Sequence, residues 1–266
     1  MSEGDKGLAQ VIAYMKAHWP SQVKTEWQVA VEEYPNIAAK AIRDLCSGKT
    51  MTHKMVRITG VSGSGKTTQL LPAAEKYFEA QGLDPVLVAA RKFVEYHPHY
   101  GEIKDYYGEE NIRKMTDEFS TIMMFLCMKQ MVEKGYDIIL DVTLLDPEIE
   151  GILLAALKQA KYDSLMLMVA VSPEVAEKHL SGRAWRHTKD TEDEFVRATK
   201  SAFLFYAKSA PDMRIIMWNT YEKNPVYDGI IKDALECFEK YSVEKNVPAH
   251  DEKELKKAKL EYIEKI

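Results

Sequence analysis

Gly-Lys-Thr occurs twice in this chain, as Gly48-Lys49-Thr50 and as Gly65-Lys66-Thr67. A lysine and a hydroxyl side chain introduced by glycine can hold a polyphosphate. The ammonium neutralises charge, the hydroxyl ligates Mg²⁺, and glycines let backbone N–H groups turn inward. A complete loop needs another glycine at its head, between a strand and a helix. Gly60 to Thr67, GVSGSGKT, meets that pattern after the apolar run MVRIT, and Leu70, Leu71, Ala74 and Phe78 follow at helical spacing. The earlier copy has Arg43 where the first glycine should stand and follows a helix-like stretch, so it reads as a helix C-cap and turn. The second copy is therefore the expected ATP site. Lys66 should contact the β- and γ-phosphates and Thr67 should ligate Mg²⁺, within a cradle of Gly60, Ser62, Gly63, Ser64, Gly65 and Thr68.

The elements that must position this loop are legible as strands alternating with helices. Expected strands are MVRITG from Met55, PVLVAA from Pro85, DIILDV from Asp137, SLMLMVAV from Ser164 and MRIIMW from Met213. Asp146-Pro147 and Ser172-Pro173 are helix-start signals, and Thr191 to Glu194 has capping-box spacing. Gly82 and Gly135 close helices ahead of strands, while Pro72 sits awkwardly near the start of the helix after the loop. Apolar strands alternating with helices predict an α/β fold, a P-loop kinase-like parallel sheet with helices on both faces. Residues 1–52 read as an N-terminal helical extension, with one helix through Leu8 to Met15 and another from Pro35 to Leu45. Residues 53–243 form the expected kinase domain, and 244–266 hold a charged, partly solvated C-terminal helix.

Composition narrows the classes. Hydrophobic residues at 46 % can fill a core, while a formal charge of −5 disfavours a general nucleic-acid binder. Cys46, Cys127 and Cys237 are scattered without metal-ligand spacing, which fits free thiols in a reducing compartment. The first residues lack a signal-peptide pattern and no apolar run reaches membrane-span length, so a cytoplasmic protein without membrane attachment is expected.

Four features together resemble the zeta toxin family of P-loop kinases: the loop itself, His97-Pro98 after the second strand, Gly135-Tyr136 before an apolar strand ending Asp141-Val142-Thr143, and Arg197-Ala198-Thr199. They span about residues 30 to 220. The resemblance implies ATP- and Mg²⁺-dependent phosphorylation of the 3′-hydroxyl of UDP-N-acetylglucosamine, restrained by a cognate antitoxin. It implies that Arg197, with Arg186 or Arg183, neutralises charge on the transferring phosphoryl group from a lid at Gly182 to Thr191. It also implies that Thr143 and His97 contact the acceptor.

Departures accompany the match. Arg91 occupies the position of the family's general base, and a guanidinium stays protonated. Phe125 and Leu145 stand where an acid and an arginine would read the amino sugar. Arg91 then reads as a binding group for a phosphate or carboxylate of another small acceptor. Asp141 reads equally as a replacement base or as a water-mediated Mg²⁺ ligand. The rival expectations are a nucleotide-binding module without phosphotransfer and, disfavoured by charge, a polynucleotide kinase. His97 reads equally as a loop-shaping residue. YGEIKDYYGEE (Tyr100 to Glu110) reads as a solvated loop or a stacking surface, and Met123, Met124, Met128 and Met131 as helix core.

Overall fold

The computed structural model describes residues 12–14, 16–17, 20–61, 63–143, 147–172, 174–176, 189–243 and 252–266, with the side chains of 148, 189–196, 198 and 252 excepted. The chain divides into two compact units, Met1–Gly48 with Val88–Met131, and Lys49–Leu87 with Val132–Ile266. Among the described residues no helix is long and apolar enough to cross a membrane.

The larger unit is organised by a six-stranded sheet. Its strands are β1 (Lys54–Thr59), β2 (Val86–Val88), β3 (Ile138–Asp141), β4 (Asp163–Ala170), β5 (Arg214–Asn219) and β6 (Tyr227–Ile230), in the order β2-β3-β1-β4-β5-β6. β1 runs parallel to both β3 and β4, and β4 parallel to β5. All five expected strands form. β6 was not anticipated: it is short, reads YDGI, and pairs antiparallel to β5 at the sheet edge. A short, half-polar strand carries too little periodicity to stand out from a turn.

β4 shows why the sheet is covered on both faces. Leu165, Leu167 and Val169 pack with Val56, Ile58, Phe78, Ile216 and Trp218. Met166, Met168 and Ala170 pack with Phe203, Tyr206, Ile215, Met217 and Phe238. Successive side chains of a strand point to opposite faces, so an uninterrupted apolar run requires two cores.

Among the described residues, the α-helices with both bounds described are, in chain order, α1 (Tyr34–Leu45), α2 (Leu71–Glu79), α3 (Tyr100–Tyr107), α4 (Glu109–Met115), α5 (Asp117–Lys134), α6 (Pro147–Gln159), α7 (Lys189–Ser209), α8 (Leu235–Val243) and α9 (Glu252–Ile263). α6 begins at Pro147 as expected, whereas α7 begins at Lys189, ahead of the expected capping box. A π-helical turn, Lys66–Leu70, precedes α2, and the Leu71 N–H bonds to the Lys66 carbonyl. Pro72 accounts for it. A proline has no N–H to donate and its ring crowds the carbonyl four residues back, so the turn before it widens.

α9 buries Leu255, Lys259 and Ile263, one residue per helical turn, while its other faces are solvated. It packs against α2 and the π-turn. Lys76 pairs with Glu264 at 3.3 Å, Lys223 with Glu254 at 2.8 Å, and the Tyr262 hydroxyl donates to Asp228 at 2.7 Å.

In the smaller unit, α1 starts at Tyr34, one residue ahead of the expected Pro35, and the Cys46 N–H closes it on Ile42 O at 2.9 Å. Most of the helix expected through Leu8 to Met15 lies outside the described residues. The segment read as a solvated loop or a stacking surface forms α3 and the start of α4, broken at Gly108 with φ +84°. Ile103 and Ile112 reach the same apolar cluster as Val23 and Val94, and that shared burial drives helix formation. The four methionines of α5 are buried, as expected of helix core.

Candidate phosphate-binding site

β1 delivers the chain into Gly60 at the middle of the sheet, with β3 on one side and β4 on the other. Gly60 has φ +143°, and a Cβ there would lie 2.6 Å from the Val169 carbonyl oxygen. Only glycine passes so close to the neighbouring strand. The loop then doubles back: Gly63 and Gly65 have positive φ, and the Ser64 N–H donates to Val61 O at 3.2 Å. It ends in the π-turn and α2, so the first free N–H groups and the positive end of the helix dipole face the loop.

Lys66 lies across this loop, its Nζ donating to Gly60 O at 2.6 Å and to Val61 O at 2.9 Å. The Thr68 hydroxyl donates to Gly65 O at 3.2 Å. Thr67 faces β3, and its hydroxyl donates to Asp141 Oδ2 at 3.4 Å. Register explains the encounter. Asp141, the last residue of β3, stands opposite Ile58 near the end of β1, and the Val142 N–H donates to Ile58 O at 3.3 Å. A hydroxyl and a buried carboxylate at the carboxyl edge of adjacent parallel strands are hard oxygen donors of the kind Mg²⁺ takes.

The residues present fit a bound nucleoside triphosphate with Mg²⁺. The close approach at Gly60 shapes a concave loop that a Cβ would fill, the lysine can exchange carbonyl partners for phosphate oxygens, and the buried Ser64 Oγ has no hydrogen-bond partner among the described residues. Mg²⁺ at such a loop takes one or two protein oxygens and completes its shell with phosphate and water.

Other expected site residues fall in different places. Thr143 is partly exposed, two residues beyond β3, and Arg197 is exposed on α7. Ser62, Arg186, Arg183 and most of the expected lid lie outside the described residues. Arg91 and His97 belong to the smaller unit. Arg91 is half-buried in a 3₁₀ turn, Ala90–Lys92. His97 is buried, its ring edge-on to Phe119 at 4.6 Å, and its Nδ1 accepts the His99 N–H at 3.1 Å. Burial, reinforced by His99, pushes its pKa down to about 4, so the neutral Nε2–H tautomer shapes the turn at Pro98.

Two arrangements escaped sequence reasoning. The Thr220 hydroxyl, just past β5, donates to Ser64 O at 2.8 Å and props the loop from below. Arg57, on β1, forms a buried two-pronged pair with Glu150 of α6, at 2.5 and 2.7 Å, and also donates to the Tyr206 hydroxyl of α7 at 2.9 Å. The only signal for the latter is a charged residue inside an apolar strand; Thr220 carries none.

Comparison with known proteins bears on the family and the fold. A family model described as Zeta toxin matches residues 42–229. Toxin PezT of Streptococcus pneumoniae serotype 4 (strain ATCC BAA-334 / TIGR4) is 25 % identical over 146 residues, covering 54 % of this chain and 56 % of that protein. The chain thus matches little more than half the length of that curated relative. A structure from the PezAT chromosomal toxin-antitoxin system of Streptococcus pneumoniae superposes with a TM-score of 0.65 at 21 % identity, covering 89 % of this chain and 98 % of that one. The AvrRxo1-ORF1:-ORF2 complex with ATP superposes with a TM-score of 0.51 at 13 % identity, over 87 % and 85 %. At these identities the two structures share the fold.

Proposed function

The chain belongs to the zeta toxin family, and we propose that it is an ATP-dependent phosphotransferase acting on a hydroxyl of a small acceptor such as a sugar nucleotide. The observation that carries this reading is the convergence of Lys66, Thr67 and Asp141 at one edge of the sheet. When bound, ATP supplies the γ-phosphoryl group and Mg²⁺ spreads its charge. Lys66 would bind the β- and γ-phosphates, and Thr67, whose hydroxyl meets Asp141, would hold the metal. The loop N–H groups orient the triphosphate. In transfer, the acceptor oxygen bonds to the γ-phosphorus, the bond to the bridging oxygen breaks, and the acceptor proton leaves to a carboxylate or to water. Asp141 is the carboxylate nearest the loop on β3 and suits either task. Such a loose transition state depends more on positioning and charge than on a strong base, so Arg91 at the usual base position is compatible with turnover. Arg197, from α7, adds positive charge.

An antitoxin partner is part of the same proposal, since PezT and its solved relative come from a toxin-antitoxin system. The test is mass spectrometry of the full chain with ATP, Mg²⁺ and UDP-N-acetylglucosamine, with Lys66→Ala as control. A phosphorylated sugar nucleotide formed only by the unmutated chain is expected. ATP binding without transfer to this or any other sugar nucleotide refutes the acceptor class, and absence of ATP binding refutes the reading altogether.

A further inference from the structure

The C-terminal helix contains a buried charge with no evident purpose in folding. Lys259 is 0 % exposed, and among the described residues its Nζ has one hydrogen-bond acceptor, the Glu222 carbonyl oxygen at 3.1 Å. An ammonium carries three donors, and burying one with a single acceptor costs free energy. Burial lowers its pKa to about 8, with the Glu222 carboxylate opposing the shift. An apolar side chain of similar length would fill the same space without that cost.

What the ammonium holds leads to the phosphate loop. Glu222 closes the turn after β5, its N–H donating to Asn219 O at 3.2 Å, while Asn219 Oδ1 accepts the Tyr221 N–H at 3.1 Å. Within that turn Thr220 is buried, and its hydroxyl donates to Ser64 O at 2.8 Å. The Ser64–Gly65 peptide is trans and planar, so fixing its carbonyl also fixes the direction of the Gly65 N–H on the opposite side. On the nucleotide-binding reading, that N–H is one of the donors the loop would offer to phosphate.

We infer that α9 is a working part of the phosphate site, with Lys259 as a positioning residue that acts through the Glu222 carbonyl and Thr220 on the Ser64–Gly65 peptide. The inference rests on the nucleotide-binding reading above. It assigns to the charged C-terminal helix a role in ligand affinity. Two ion pairs and the Tyr262–Asp228 hydrogen bond join α9 to the rest of the unit.

The experiment uses the full chain, with Lys259→Met, Thr220→Val and the double variant, measuring Mg-ATP affinity by calorimetry and the melting temperature without ligand. Each single substitution is expected to weaken Mg-ATP binding about five- to twentyfold. The double variant should bind no more weakly than the poorer single, because both cut the same path. Lys259→Met should leave the ligand-free melting temperature unchanged or raise it, since a costly buried charge is gone. Unchanged affinity in Lys259→Met overturns the inference. So do effects that multiply in the double variant, or a Lys259→Met chain that melts early or fails to fold, either of which marks a merely structural lysine. An unmutated chain that binds no Mg-ATP is a separate outcome; it refutes the nucleotide reading and the inference with it.

Discussion

Removing either charge from the Arg57–Glu150 pair should be far more damaging than removing both. Arg57, Glu150 and Tyr206 are 5 %, 2 % and 1 % exposed, so water cannot replace a lost partner. The Tyr206 hydroxyl accepts from Arg57 and donates to Glu150 Oε2, each at 2.9 Å, closing a three-membered ring of contacts. Burial disfavours the Arg57 charge, yet Glu150 and Tyr206 outweigh it and raise its pKa. Glu150→Leu or Arg57→Met strands one charge in the core and should cost about 3–5 kcal/mol, a large share of a total stability of roughly 5–15 kcal/mol. Among the contacts of the described residues given above, replacing both leaves the Tyr206 hydroxyl short of partners, a penalty of about 1–3 kcal/mol that Tyr206→Phe should largely remove. The assay is urea unfolding followed by tryptophan fluorescence, with buried Trp218 on β5 as a reporter on the same sheet. Single substitutions costing under about 1 kcal/mol, or a double variant as costly as the two singles summed, would show that the triad is not the interdependent unit described. The consequence reaches the site, because the triad ties β1, which leads into Gly60, to α6 and to α7, which carries Arg197.

Other substitutions test individual contacts. Gly60→Ala places a Cβ 2.6 Å from the Val169 carbonyl at φ +143°, so it should cost about 1–3 kcal/mol and abolish Mg-ATP binding in calorimetry; retained binding would mean the loop needs no such close approach. Asp141→Asn should raise the Mg²⁺ concentration needed for half-maximal ATP turnover about tenfold or more, whereas lost turnover with unchanged Mg²⁺ dependence would identify a base instead. For His97 the folded pKa of about 4 lies below the unfolded value of about 6.5, so the unfolded chain binds more protons between them. The stability it confers is therefore complete above about pH 6.5 and falls by up to about 3 kcal/mol as pH drops through 4. His97→Gln should flatten that acid limb in urea melts, and identical slopes in both proteins would exclude His97 as its source.

The phosphate loop and the parallel strands could be read directly from the residues because both are local patterns. A glycine-rich turn is specified within eight consecutive residues, GVSGSGKT, and the two-sided burial of β4 shows as one apolar run. β6 and the α3–α4 pair were not legible. A four-residue edge strand has no periodicity to detect, and two short helices are stable only where an apolar cluster receives Ile103 and Ile112. Thr67 and Asp141 were each singled out by chemistry, but only the register of β1 against β3 brought them together. The same holds for Thr220 and Ser64, 156 residues apart, and for Arg57 and Tyr206, 149 apart. Contacts at such separations depend on the order in which strands assemble, and no spacing along the chain encodes that order. Lys259 shows the limit most plainly: in sequence it is one charge among many in a solvated helix, and only packing against α2 turns that face inward and makes its ammonium a buried group.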